Sequence, residues 1–215
     1  MKSYVVVGLG RFGSEAAKSL CKSGGEVLAI DCRSELVQQI SSFVTQAVVG
    51  DARDKGVLKA LGVEDFDCAI VAIGDSLGDS VLATMNLKEL GVPYIVCKAF
   101  DETHRQVLLK LGANKVVIPE QEQANRLAKS LSSSNVLDYI ELSDSYGIIE
   151  VPAPVSWIGK SLKDLNVRAK LGVNIIAIKR GAQINVSPGA DYEITPGDVM
   201  EILGDTKALD AVQKL

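Results

Sequence analysis

The sequence predicts an α/β fold: a doubly wound parallel sheet followed by a smaller α+β lobe. Short apolar runs alternate with helical patterns through the first 118 residues. A G-x-G-x-x-G turn follows the first of these runs. Beyond residue 131 the texture changes to alternating strands and tight turns. Apolar runs of this length are what strands buried on both faces of a parallel sheet require.

The first run, residues 4–7, leads into Gly8-Leu9-Gly10-Arg11-Phe12-Gly13. A strand, this glycine turn and a helix make a Rossmann-like phosphate cradle. Gly8 permits the tight turn, Gly10 lets a pyrophosphate approach the backbone, and Gly13 lets the helix pack against the strand. The unpaired N–H groups that open the helix then face an anion. The second strand, 26–30, ends in Asp31, 18 residues after Gly13. A carboxylate there accepts both ribose hydroxyls of an adenosine and disfavours a 2′-phosphate. Arg33 argues the other way, provided that Asp31 moves aside.

Four more strands follow at 46–49, 68–73, 94–97 and 115–118. Asp51-Ala52 follows the third, where such folds approach the adenine, or else Asp51 is a helix N-cap. Ile73-Gly74-Asp75 closes the fourth beside the crevice, or else Gly74 forms a simple turn. Between strands four and five, residues 77–90 read as a helix with Leu77, Val81, Leu82, Met85 and Leu90 on its buried face. Leu61-Gly62-Val63, Leu90-Gly91-Val92, Leu111-Gly112-Ala113 and Leu171-Gly172-Val173 each read as a helix end with a left-handed glycine. The expected nucleotide set is Gly8, Gly10, Arg11, Phe12, Gly13, Asp31, Cys32, Arg33, Asp51, Ala52, Ile73, Gly74 and Lys98. Arg11 is either a solvated residue of the first helical turn or a guanidinium that grips phosphates, favouring ADP or ATP over a neutral nicotinamide.

A polar helix at 120–131 carries Ala124, Leu127, Ala128 and Leu131 as its apolar positions, and Ser132-Ser133-Ser134-Asn135 then breaks the pattern. The lobes are therefore expected at 1–134 and 135–215. Strands at 139–142, 147–151, 174–179, 182–186 and 199–203 suggest an antiparallel sheet, with short helices at 160–165 and 207–215.

Composition narrows the function. The 215 residues are 47% hydrophobic, with 23 Lys and Arg against 27 Asp and Glu, a net charge of −4. No general nucleic-acid binder is expected, since that needs a basic face. No apolar run reaches the ~18 residues of a spanning helix, and the start shows no signal-peptide pattern. Cys21, Cys32, Cys68 and Cys97 lack metal-site spacing and read as reduced thiols of a cytosolic protein. Hydride transfer needs a proton donor. The single histidine, His104, reads as a surface or packing residue, and Lys98 and Asp101 find no partner in the sequence. A binding or sensing role therefore outranks catalysis, with an NAD-dependent oxidoreductase or an NAD(H)-binding redox sensor as the alternatives.

Val6 to Gly13, Val27-Leu28-Ala29-Ile30-Asp31 and Ala69-Ile70-Val71-Ala72-Ile73-Gly74 resemble the RCK (KTN/TrkA) family of cytosolic regulators of potassium conductance. Lys110-Leu111-Gly112-Ala113, Val117-Ile118-Pro119-Glu120 and Asp164-Leu165-Asn166-Val167-Arg168-Ala169-Lys170 extend the resemblance to essentially the whole chain. It implies homodimers that assemble into an octameric ring on the cytosolic face of a KtrB- or TrkH-like membrane subunit. It implies activation by ATP and inhibition by ADP, with Arg11 facing the γ-phosphate across the dimer. It also implies that Glu120 holds a divalent cation, Mg or Ca, between subunits. Finally, it implies a cyclic di-AMP site at Arg168, Asn174 and Ile175.

Overall fold

A computed structural model describes residues 1–132, 136–143 and 145–215. The expected break at Ser133-Ser134-Asn135 lies outside the described residues. The chain divides into two compact units, Met1–Glu120 and Gln121–Leu215.

The first unit holds six strands: β1 (Ser3–Val7), β2 (Glu26–Asp31), β3 (Gln46–Val49), β4 (Cys68–Val71), β5 (Ile95–Lys98) and β6 (Lys115–Val117). They lie in the order β3-β2-β1-β4-β5-β6, every pair parallel. The helices are α1 (Arg11–Lys22), α2 (Ser34–Ile40), α3 (Lys55–Ala60), α4 (Leu77–Glu89) and α5 (Glu102–Lys110). Alternate side chains of each strand serve opposite faces. Val5, Val7, Leu28 and Ile30 pack with Leu58, Leu87 and Leu108 from α3, α4 and α5. Val6, Val27 and Ala29 pack with Ala17, Val37 and Ile40 from α1 and α2. Chain order reverses between β1 and β4, so a crevice opens at the carboxyl ends of those strands.

Two expectations change. The fourth strand ends at Val71 rather than at residue 73. The Ala72 N–H still donates to the Val7 carbonyl at 2.7 Å, and Ile73-Gly74 then turn away as crevice loop. In α4 the buried stripe is Ser80, Ala83, Thr84 and Leu87. Val81 and Leu90 pack at its margin, but Leu77, Leu82 and Met85 are exposed. Small side chains let the helix axis approach the sheet, and the bulky residues are turned outward. The four repeated glycines do end helices left-handed, with φ of 64°, 88°, 99° and 72° at Gly62, Gly91, Gly112 and Gly172.

Helix α6 (Pro119–Ser132) carries the division between the units. The second unit contains β7 (Asp138–Ser143), β8 (Tyr146–Pro152), β9 (Asn174–Arg180), β10 (Gln183–Asn185) and β11 (Asp198–Asp205). They form an antiparallel sheet in the order β10-β9-β11-β8-β7. Short helices α7 (Leu162–Leu165) and α8 (Val167–Leu171) precede β9, and α9 (Thr206–Gln213) follows β11. Trp157, Ile149, Ile178, Met200 and Ile202 form its core, closed by Leu209 and Val212 of α9.

Candidate functional site

The crevice is a cleft of about 530 Å³ lined entirely by the first unit. Gly8 turns the chain out of β1 at φ 89°, its N–H held by the Ile30 carbonyl at 2.8 Å. A Cβ there would sit 3.0 Å from the Ala72 carbonyl carbon, so β1 and β4 leave no room for a side chain. A Cβ on Gly13 would lie 1.9 Å from the Gly8 carbonyl oxygen. Gly10 differs, because a Cβ there would meet nothing within 4 Å. Gly10 is also the N-cap of α1, with no side-chain cap and no acid in the first turn. The opening N–H groups of α1 therefore point into space lined by Gly10, Arg11 and Phe12. That combination suits an anion.

Asp31 ends β2 at the cleft wall, buried. The Leu9 N–H donates to its Oδ2 at 2.6 Å. The Arg33 N–H and Nε donate to its Oδ1 at 2.9 and 3.1 Å. Burial pushes the carboxyl up, but the Arg33 guanidinium and the Leu9 and Arg33 amides outweigh that and hold it below the ordinary range. Cys32 is exposed beside it.

Asp51 is not the N-cap of α3; Asp54 is, accepting the Gly56 N–H at 2.7 Å. Asp51 instead forms its own turn with the Arg53 N–H and pairs with the Arg53 guanidinium at 2.7 Å. Arg53 continues to Asp79 of α4 at 3.1 Å. Behind this loop, Asn86 Nδ2 of α4 donates to the carbonyls of Ala52 and Arg53 at 3.2 and 2.9 Å. Arg53, Asp75 and Asp79 line the cleft. Asp75 was expected beside the crevice; sequence reasoning missed Arg53, Asp79 and Asn86. Arg53 sits two residues beyond Asp51 and was findable from that spacing; the others carry no local signal.

At the other side, Ile73 and Gly74 line the cleft beneath Lys98. Lys98 does have a partner: its ammonium donates to Glu120 Oε1 at 2.6 Å. It also lies 6.0 Å from the Phe12 ring centroid. Glu120 is held below the usual carboxylate range chiefly by this ammonium, helped by its own N–H and the Arg11 charge. Glu120 therefore belongs to the cleft. Among the described residues no three His, Cys, Asp or Glu side chains gather as a metal site. Within one chain Glu120 does not fit a divalent cation, since an ammonium already holds its carboxylate.

A Tyr-x-x-x-Lys spacing, which in a helix pairs a phenol with an ammonium and which sequence reasoning held to be absent, does occur at Tyr94 and Lys98. Here the segment is extended, which puts them roughly 13 Å apart. His104 lies outside the cleft, fully buried beside Phe100, with both ring nitrogens unpaired. Burial lowers its pKa against the pull of Asp101. Asp101 caps α5, accepting the His104 N–H at 2.7 Å.

In the second unit, Arg168 lies exposed on α8, Asn174 exposed at the start of β9, and Ile175 half-buried against the core. Among the described residues no helix is long and apolar enough to cross a membrane.

The TrkA-N domain model matches residues 4–119, and the TrkA-C domain model residues 147–215. The chain is 43% identical over 213 residues to Ktr system potassium uptake protein C of Bacillus subtilis (strain 168), covering 99% of this chain and 96% of that protein. It is 33% identical over 203 residues to Ktr system potassium uptake protein A of Vibrio alginolyticus, covering 94% and 92%. The solved GsuK RCK domain matches with a TM-score of 0.71 at 19% identity, over all of this chain and 47% of that one. The structure described as the GsuK channel bound to NAD matches at 0.70 and 18%, over all of this chain and 39% of that one. The chain spans under half the length of those two solved chains, and at such identities the likeness is one of fold.

Proposed function

The chain belongs to the TrkA-N/TrkA-C (RCK) family, and on that premise we propose that it is the nucleotide-sensing regulatory subunit of a membrane potassium uptake system, activated by ATP and inhibited by ADP. The names of its relatives support the potassium role. The nucleotide role rests on one observation: the uncapped start of α1 at Gly10, open to a cleft with Arg11 at its mouth and Asp31 on its wall.

A regulator of this kind works by differential affinity: ATP must bind the activating shape better than ADP does. A γ-phosphate held by the α1 amides and by Arg11 of a neighbouring copy supplies that difference. The two lobes, 1–134 with the crossover helix and 135–215, form homodimers and then an octameric ring on the cytosolic face of the membrane. The exposed Leu77, Leu82 and Met85 of α4, and Leu127 and Leu131 of α6, are apolar surface available for that assembly. A divalent cation at Glu120 needs that carboxylate from two copies, with Lys98 released. Arg168, Asn174 and Ile175 remain the proposed contacts for cyclic di-AMP. Catalysis is not part of this reading: among the described residues lining the cleft there is no His or Tyr, and Lys98 is tied to Glu120.

A second reading, an NAD(H) sensor, draws on Asp31, which serves any adenosine ribose. Calorimetric titration with ATP, ADP, NADH and NAD separates the two. The regulatory reading predicts that ATP is preferred and that Arg11→Ala removes about 10-fold or more of its advantage over ADP, as for one charged hydrogen-bond donor. A preference for NADH that ignores Arg11 would transfer the chain to the second reading.

A further inference from the structure

The carboxylate that a ribose would use is already full. Two carboxylate oxygens offer about four acceptor positions. Asp31 receives four N–H donors: Leu9 N–H at 2.6 Å, Arg33 N–H at 2.9 Å, Arg33 Nε at 3.1 Å and Arg33 Nη2 at 3.3 Å; the Cys32 thiol adds only a long contact of 3.8 Å to Oδ1. A ribose diol brings two further donors to the same atoms.

These four donors are not equally easy to remove. The Leu9 amide is fixed by the glycine turn, whose backbone is wedged against Ala72. The Arg33 amide is fixed by the entry to α2, for which Arg33 is the N-cap. Only the guanidinium is free to leave, because the Arg33 side chain is 57% exposed while that of Asp31 is 4% exposed. Asp75, another residue lining the cleft, also attracts the Arg33 charge, more weakly than Asp31 does.

We propose that Arg33 is a specificity-determining residue of the cleft: its guanidinium occupies the ribose position on Asp31 and is displaced by a nucleotide that carries a free 2′,3′-diol. This rests on the nucleotide reading above. It makes diol recognition an exchange in which each hydroxyl replaces a charged donor, so Arg33 lowers the contribution of the diol to affinity. The guanidinium side of the pair is open to solvent, so the scale is that of solvent-screened pairs, about fivefold in an equilibrium.

Raw affinity is a poor readout, because removing a positive charge also weakens the attraction for phosphates. The ratio of the Kd of 2′,3′-dideoxy-ATP to that of ATP cancels that effect. It should be about three- to fivefold larger in Arg33→Met and Arg33→Gln than in the wild-type chain. An unchanged or smaller ratio in both variants overturns the proposal and leaves the nucleotide cleft standing. Loss of the diol contribution in every form, wild type included, also overturns it, because Asp31 would then not hold the ribose. If wild type binds neither nucleotide, the proposed function fails together with it.

Discussion

Asp31 and Asp198 are both buried carboxylates, yet their partners differ in kind. Asp198 opens β11 with its own side chain fully enclosed, although the Arg180 guanidinium that pairs with it is half exposed. Arg180 Nε of β9 donates to it at 2.7 Å, the Tyr192 hydroxyl at 3.1 Å and the Thr195 N–H at 2.9 Å. Arg180 in turn reaches the Tyr192 oxygen at 2.6 Å. This knot closes the long loop between β10 and β11. The guanidinium is the chief cause that takes the Asp198 carboxyl down to about 2, against an ordinary 3.8. A carboxyl lowered by folding adds stability above its unfolded value, near 4, and loses it as pH falls toward 2. Asp198→Asn should therefore cost about 3 kcal/mol at pH 7, read from urea melts, and distinctly less when the same melts are run at pH 3. Equal costs at both pH values would mean that the charge is not what holds the loop. Asp31 differs in lining the cleft together with its arginine, where a ligand can take the guanidinium's place.

At the scale of elements, the turn into α1 separates folding from function within three residues. Gly13→Ala places a methyl 1.9 Å from the Gly8 carbonyl oxygen, so α1 must shift. Gly10→Ala meets no protein atom within 4 Å and fills only the space a phosphate needs. Thermal melts should show a marked loss for Gly13→Ala and little change for Gly10→Ala, while ATP titration should show binding lost in both. Helix α4 supports the site from behind through Asn86. Asn86→Ala should speed hydrogen exchange around Ala52–Asp54 and weaken ATP several-fold, about 1 kcal/mol for the bonds removed, without moving the amides of α1. The turn, Asp31 and the six strands were legible in the sequence because each is a local pattern. The packing face of α4 was not. Hydrophobic periodicity marks bulky residues, whereas the helix meets the sheet through Ser80, Ala83 and Thr84. Lys98–Glu120 and Arg53–Asp79 were equally hidden, because each joins elements 22 or 26 residues apart that only the sheet order brings together.

Over the whole molecule, the strand reversal between β1 and β4 gathers loops from five of the six strands, and Glu120 at the start of α6, around one cleft. The antiparallel unit has its own core. The proposed division of labour follows from that arrangement: the first unit reads the nucleotide, and the apolar residues exposed on α4 and α6 carry the reading into an assembly. Leu127→Glu with Leu131→Glu should lower the assembled mass in light scattering while leaving ATP binding to the cleft intact; an unchanged mass would remove α6 from the assembly. The central claim is that bound phosphate number sets potassium conductance. Its most direct test is potassium flux into vesicles carrying the conducting membrane subunit and this chain, with ATP or ADP outside. Flux several-fold higher in ATP than in ADP, with the difference abolished by Arg11→Ala, is the predicted result. Equal flux in both nucleotides with the wild-type chain bound would contradict it.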